Sequence, residues 1–356
     1  MTSPDSTPDR SPTSDKPLFE AIDAVIRQAG SQPESIEGSV AREMMHTAVK
    51  LLRDPANEHE FKLISRSVKE LRYALKVFRG YEETRKISIF GSARTKEDHP
   101  DYIAAVAFGK SMAASGWMVI TGAGGGIMRA GHGGAGTEKS FGVAIRLPFE
   151  TSANEYIAND PKLITFRYFF TRKLMFMWQS HAIALFPGGF GTQDEGFEAL
   201  TLVQTGKAPT IPIVMVERPG GTYWKHWDRY VREELLATGL ISKDDLNLYF
   251  IADDVDSAAR HVLDFYRNYH SQRYVNDTIV LRIYRPLNEA QLAELNEEFG
   301  GLVKEGRIEQ SGPLEQEKEL PQLPRIHFVY TKYHFGKLRA MIDRINLFDV
   351  VNSNSL

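Results

Sequence analysis

Through roughly the first quarter of the chain, apolar residues recur at steps of three and four. Phe19, Ile22, Ala24, Val25 and Ile26 form one stripe, and Met44, Met45, Ala48, Val49, Leu51 and Leu52 a second. Phe61, Ile64, Val68, Leu71, Leu75 and Phe78 form a third. This spacing predicts a helical region over residues 18–84. From Lys86 the pattern changes to short unbroken apolar runs: Ile87–Phe90, Trp117–Thr121, Phe141–Leu147, Ala182–Phe186 and Ile211–Val216. Helical stretches lie between and after them, near Tyr102–Ser115, Phe170–Gln179, Thr192–Thr205 and Trp224–Leu236. Unbroken strands separated by helices predict an α/β domain over 85–268, a Rossmann-like, doubly wound parallel sheet with helices on both faces. A smaller α/β module follows over 269–356. Its expected strands are Thr278–Ile283 and Arg325–Tyr330, and its expected helices Glu289–Phe299 and Phe335–Ile345, with a loop over Glu309–Pro324.

Composition narrows the class. The 356 residues include 28 Gly, 17 Pro and no Cys. The missing cysteines remove disulfide scaffolds, thiolate zinc sites, iron–sulfur clusters and cysteine nucleophiles. A formal charge of −3 leaves no global basic footprint for nucleic acid. No apolar run approaches the roughly 20 residues that cross a bilayer, so no membrane association is expected. Residues 1–17 are rich in Ser, Thr, Pro and Asp and lack an apolar core. They read as a disordered tail, not a secretory signal, and the expected compartment is the cytoplasm.

Three of the strand ends run into glycine or small residues: Gly91-Ser92-Ala93-Arg94, Gly122-Ala123-Gly124-Gly125-Gly126 and Pro187-Gly188-Gly189-Phe190-Gly191-Thr192. Glycine at a strand-to-helix turn lets backbone N–H groups approach a ligand, and the helix start favours an anion. Three such turns at one sheet edge point to a pocket for a phosphorylated small molecule. The second loop lacks the third glycine of the dinucleotide fingerprint, and none of the loops contains the Gly-Lys-Ser/Thr of a P-loop. Thr192-Gln193-Asp194-Glu195 has the form of a capping box, in which Thr192 caps a helix and Glu195 reaches back. That reading leaves Pro187-Gly188-Gly189 unexplained, and also Arg172-Lys173, cations near a helix start that suggest an anionic partner. The aromatic group Phe166, Tyr168, Phe169, Phe170, Phe176 and Trp178 reads as core. His132 and His181 form no ligand pair, so no metal is expected, and His226 reads as a packed helix residue. Ser92 reads as a phosphate or ribose donor.

Pro187-Gly188-Gly189-Phe190-Gly191-Thr192-x-x-Glu195, with Arg172-Lys173 upstream, resembles the signature of the LOG ("Lonely Guy") family, long described as possible lysine decarboxylases. The resemblance continues through Arg146-Leu147-Pro148-Phe149-Glu150, Asn154, Tyr156, Tyr168-Phe169-Phe170 and Leu200–Lys207, and spans about Lys86–Phe265. The departures are Ala123, Gly125, Arg129 where an acid is common, and His181 where an acid is frequent. Arg129 is expected to add positive charge beside the pocket.

The resemblance implies a phosphoribohydrolase that cleaves nucleoside 5′-monophosphates, purine or cytokinin riboside nucleotides, without metal or organic cofactor. It assigns the catalytic carboxylate to Glu195, with Arg172 positioning it or assisting base departure. Gly188, Gly189, Gly191 and Thr192 would hold the 5′-phosphate. Ser92 and the loop of Gly122, Gly124, Gly125 and Gly126 would form the opposite wall. Arg146, Glu150, Asn154 and Lys173 are further candidate substrate contacts. A homodimer or higher homo-oligomer is expected. The alternatives are a nucleotide- or cofactor-binding carrier of the same fold, a handler of single-stranded DNA, which the charge disfavours, and a decarboxylase using Lys173.

Overall fold

The computed structural model describes residues 15–146 and 153–353, and the chain divides into two compact units at Lys69/Glu70. Residues 1–14 of the expected tail lie outside the described residues, and Lys16 and Pro17 already begin a helix. In the first unit, α1 (Lys16–Gln28) buries Ile22 and Ile26. Helix α2 (Ile36–Arg53) is capped by Ser35, whose hydroxyl accepts the Gly38 N–H at 3.0 Å. An Arg42–Asp23 ion pair at 2.6 Å joins the two helices. Helix α3 (Glu58–Phe78) crosses the division, and in the second unit its Ala74 and Phe78 are fully buried in the core of the sheet domain.

The second unit continues as β1 (Lys86–Phe90), α4 (Pro100–Ala114), β2 (Met118–Thr121), α5 (Ile127–Ala135), β3 (Ser140–Ile145), β4 (Leu163–Phe166) and α6 (Phe169–Gln179). Then come β5 (Ala182–Leu185), α7 (Phe190–Gln204), β6 (Ile213–Met215), α8 (Tyr223–Tyr230), β7 (Phe250–Ile251) and α9 (Val255–Phe265). The seven strands are parallel in the order β4-β3-β2-β1-β5-β6-β7, a doubly wound α/β fold. Successive residues of a strand face opposite sides. Ile183 and Leu185 therefore enter one core with Met118 and Ile120, while Ala182 and Ala184 enter the other with Ile87, Ile89 and Val119. Burial on both faces is why these strands read as unbroken apolar runs.

Sequence order reverses between β1 and β5. That is the topological switch point, where the loops following two neighbouring strands diverge and leave a crevice. The two strands are in register from Ile87↔Ala182 to Phe90↔Leu185, so the Gly91 and Pro187 loops leave the sheet side by side.

The C-terminal module comprises β8 (Tyr269–Val275), β9 (Thr278–Ile283), α10 (Glu289–Phe299), β10 (Val303–Ser311), β11 (Arg325–Tyr330) and α11 (Phe335–Ser353). Its four strands form an antiparallel sheet in the order β10-β11-β9-β8. Strands β8 and β10 go beyond the pattern read from the sequence, and β10 takes in residues 309–311 of the expected loop. The module is fastened to the α/β domain by buried polar groups. Asn346 accepts the N–H groups of Asn268 and Tyr269, both at 2.8 Å, and donates to the Phe265 carbonyl at 2.6 Å.

Candidate active site

The crevice at the switch point is a cleft of about 770 Å³, lined by the loop after β1, the loop before α7, and residues of α5, α6 and α7. Backbone contacts lock three glycine-rich loops together. The Ser92 N–H donates to the Pro187 carbonyl at 3.1 Å, and the Ile127 N–H donates to the Ser92 carbonyl at 3.0 Å. Gly126, at φ +57°, passes so close that a Cβ there would lie 2.2 Å from the Ser92 oxygen. Only glycine fits that crossing.

The signature loop is arranged differently from a capping box. Helix α7 begins at Phe190 with Gly189 as N-cap, and no side chain caps it. Thr192 therefore sits inside the first turn, and Glu195 is too far along the helix to reach the cap. The capping expectation is overturned because the chain becomes helical two residues before Thr192. Within the first turn, the N–H groups of Thr192 and Gln193 both donate to the Gly189 carbonyl at 3.1 Å. The Phe190 and Gly191 N–H groups have no acceptor among the described residues, as expected for the start of a helix. Gly189 and Gly191 have open space where a Cβ would stand, and the Phe190 side chain is 96% exposed. The backbone is bare on the cleft side. Gly188 is tightly held, since a Cβ on it would meet the Thr192 hydroxyl at 2.1 Å.

Glu195 lines the cleft one turn further along α7 and is largely buried. Burial pushes its carboxyl up to about 7, against the opposing pull of Lys173 and then of Arg172. Lys173 Nζ stands 3.9 Å from Glu195 but only 2.7 Å from each of Asp194 and Glu198. Burial lowers the Lys173 pKa, but hydrogen bonds to Asp194 and Glu198 more than offset this and hold the lysine above its ordinary value. The anionic partner that the cation at the start of α6 called for is thus the acidic face of α7.

Arg172 lines the cleft beside Glu195. Its Nε donates to the Val143 carbonyl at 2.9 Å, and its guanidinium lies 5.2 Å from the Phe176 ring centre and 5.9 Å from that of Phe169. A Cβ on Gly122 would come within 2.6 Å of Arg172 Nη2, so this glycine makes room for the arginine.

Of the residues expected from the sequence, Ser92, Arg172, Gly188, Gly189, Gly191, Thr192 and Glu195 share the cleft wall. Gly122, Gly124, Gly125, Gly126, Arg146, Asn154 and Lys173 are not among its lining residues, and Glu150 lies outside the described residues. Asn154 supports the second loop from behind. Its N–H donates to the Ala123 carbonyl at 2.8 Å and its Nδ2 to the Gly124 carbonyl at 3.0 Å, while its amide also contacts the buried His132. This bracing holds Ala123 at φ +65°, a conformation unusual for alanine.

Arg129 departs from the expectation that it adds charge to the pocket. Its Nε donates to both carboxylate oxygens of Glu155 at 2.9 and 3.0 Å, and its Nη1 bonds Glu97 and the Tyr102 hydroxyl. Its charge is answered locally. The aromatic group is also divided, with Phe166 and Phe176 buried and Phe169, Phe170 and Trp178 exposed.

Two functional candidates were missed in the sequence. Arg94 lines the cleft and forms no ion pair among the described residues, so it is a cation available to an anion there. Its signal was its place directly after Gly91-Ser92-Ala93. The Tyr223 hydroxyl donates to the Gly188 carbonyl at 2.6 Å, and Glu217 accepts the N–H groups of Tyr223 and Trp224 at 3.1 Å, fixing the start of α8. No local pattern joins these residues to the signature.

No group of three or more His, Cys, Asp or Glu residues that could hold a metal is found among the described residues. Likewise, no described helix is long and apolar enough to cross a membrane.

Residues 125–262, less than half of the chain, match the family model described as "Possible lysine decarboxylase", the older description of the LOG family. The likeness to that family is therefore shown for the α/β domain, and it supports a nucleotide-related function there. No curated protein matches the chain. Among solved structures, the molybdenum cofactor carrier protein of Chlamydomonas reinhardtii is 19% identical, with a TM-score of 0.35 over 51% of this chain and 96% of that one. The molybdenum cofactor binding protein of the phototrophic bacterium Rippkaea orientalis is 18% identical, with a TM-score of 0.33 over 49% and 92% respectively.

Proposed function

We propose that the cleft hydrolyses the N-glycosidic bond of nucleoside 5′-monophosphates, purine nucleotides such as AMP and GMP or cytokinin riboside monophosphates, to free base and ribose 5-phosphate. One observation carries the reading: a largely buried carboxyl poised near neutrality shares a cleft with the bare start of a 15-residue helix. The helix start suits a phosphate through its unpaired N–H groups and dipole. Arg94 supplies exposed positive charge in the same cleft. The ribose then lies between the phosphate and Glu195.

In this reaction the C1′–N bond breaks, its electron pair leaves with the base, and the ribose ring acquires oxocarbenium character. Ionised Glu195 stabilises that charge across a short distance in a partly desolvated site. It also accepts a proton from the water that attacks C1′ and releases it to solvent, from which the departing base takes up a proton at its ring nitrogen. Arg172, held by the Val143 carbonyl, faces the same space and offers N–H donors to the base or the hydroxyls. Lys173 is a positioning residue that keeps the acidic face of α7 in place. Its three carboxylate neighbours and raised pKa make it a poor Schiff-base nucleophile, which argues against a lysine-dependent decarboxylase. A homodimer belongs to the same proposal, supported by Phe169, Phe170 and Phe190 standing exposed at the start of α6 and α7.

The test is to incubate the purified protein with AMP, GMP, IMP, CMP, UMP and a cytokinin riboside monophosphate and to assay free base. Release from at least one, with ribose 5-phosphate in equal amount, supports the enzyme. Binding without release from any of them makes the protein a carrier.

A further inference from the structure

A second cavity, of about 380 Å³, lies at the opposite end of the sheet. It is bounded by the C-terminal part of α6, the segments leading into β5 and β6, and strand β8 of the C-terminal module. It shares no residue with the cleft.

The chemistry of its wall is specific. Trp178 supplies exposed flat aromatic surface, while Tyr266, with the Arg85 guanidinium 3.6 Å from its ring centre, and the buried Tyr269 complete the wall. Among the described residues no carboxylate lines it, and the one cation in its lining, Lys207, is exposed. Two histidines face it, and both are neutral: burial and nearby cations push His181 down to about 3 and His270 to about 4. The tautomer of His181 is fixed. Its Nδ1 accepts the Lys86 N–H at 3.2 Å, so the proton resides on Nε2, which has no partner among the described residues. In the same wall the Thr210 hydroxyl is buried without a hydrogen-bond partner, although the Thr210 N–H is held by Gln272 at 3.2 Å. A desolvated hydroxyl left unpaired beside a cavity is unfavourable, and His181 Nε2 offers a further donor at the same wall.

We propose that this cavity binds an uncharged, planar aromatic heterocycle of nucleobase size, stacked on Trp178 and accepting a hydrogen bond from His181 Nε2. The aromatic wall selects a flat ring, and the absence of carboxylates leaves no partner for a cation. A single exposed lysine provides little for a phosphate. The volume falls within the range of small-molecule sites. The site is independent of the reading of the cleft. Helix α6 carries Arg172 and Lys173 near its start and Trp178 near its end, about 9 Å further along at 1.5 Å per residue. A bound heterocycle therefore touches the same helix that shapes the cleft.

Adenine is the probe, titrated into the full-length protein by calorimetry and by tryptophan fluorescence. Saturable binding with quenching is expected, with the quenching lost in Trp178→Phe. His181→Asn keeps an acceptor for the Lys86 N–H but removes the Nε2 donor, and should weaken binding about tenfold. Ala208→Trp, which fills the cavity, should abolish it, and Glu195→Ala should leave it unchanged. The proposal is overturned by an absence of binding up to ~5 mM. It is also overturned by binding that survives both cavity variants or that disappears in Glu195→Ala, the last placing adenine in the cleft.

Discussion

Glu317 and Glu195 are both largely buried in the second unit, and their surroundings differ. Glu317, in the C-terminal module, is fully buried with an arginine on each oxygen: Arg282 Nε at 2.9 Å and Arg325 Nε at 2.7 Å. Burial alone would raise its pKa, but the two arginines outweigh that and hold the carboxyl below its ordinary value. The Arg325 guanidinium is in turn satisfied by the carbonyls of Glu319 and Leu320 at 2.6 and 3.0 Å. This network pins the segment between β10 and β11, and every member is committed. Glu195 is also desolvated, but its nearest lysine is engaged more closely by Asp194 and Glu198. Its pKa rises. A buried carboxylate with full partners is structural; one left short of partners is available for chemistry.

The contrast can be broken in order of expected effect. Glu317→Ala leaves Arg325 buried without its counter-charge and Arg282 with only the exposed Glu319, and should destabilise the second unit by about 3–5 kcal/mol in urea unfolding. Glu195→Ala should leave the fold intact and lower turnover of a cleaved nucleotide by about 100-fold or more, the scale of one positioned acid–base group. Near-wild-type turnover would remove Glu195 from the reaction. Glu195→Gln sharpens the comparison through stability. Because the folded pKa of about 7 lies above the ordinary 4.5, folding favours the protonated form. The Glu195 contribution to stability is therefore fully present below about pH 4.5 and is lost as pH rises through 7. Glutamine mimics the protonated carboxyl, so this variant should match wild type near pH 4 and exceed it at pH 8 by on the order of 2–3 kcal/mol. The smallest effect concerns the loop braced by Asn154. Ala123→Gly should relieve the left-handed strain and stabilise by about 0.5–1 kcal/mol, read as a rise in Tm.

Much of this arrangement was legible in the chain. The unbroken apolar runs gave β1, β2, β3, β5 and β6 because each is buried on both faces. Glycine at the ends of β1, β2 and β5 marked the carboxyl edge of the sheet, and the signature led to Glu195. What escaped has physical reasons. Strands β8 and β10 are only partly buried, so no clear alternation marks them. The two residues of β7 are too few to make a pattern. Thr192 and Glu195 have the spacing of a capping box, but the extended backbone of Gly189 starts the helix earlier. Arg172 and Lys173 are neighbours in sequence, yet consecutive residues on a helix point about 100° apart, so they reach different partners. The neutralisation of Arg129 depends on Glu97 and Glu155, which only the fold brings to it.

We propose that Glu195 acts as an ionised carboxylate whose pKa the cleft moves to near neutrality. The pH dependence of kcat/KM for a cleaved nucleoside monophosphate tests it most directly, since that quantity reports the free enzyme. The rate should climb about tenfold per pH unit below 7 and level above it as Glu195 loses its proton. A profile that is flat from pH 5 to 8.5, or whose rising limb lies near the ordinary value of 4.5, would contradict it.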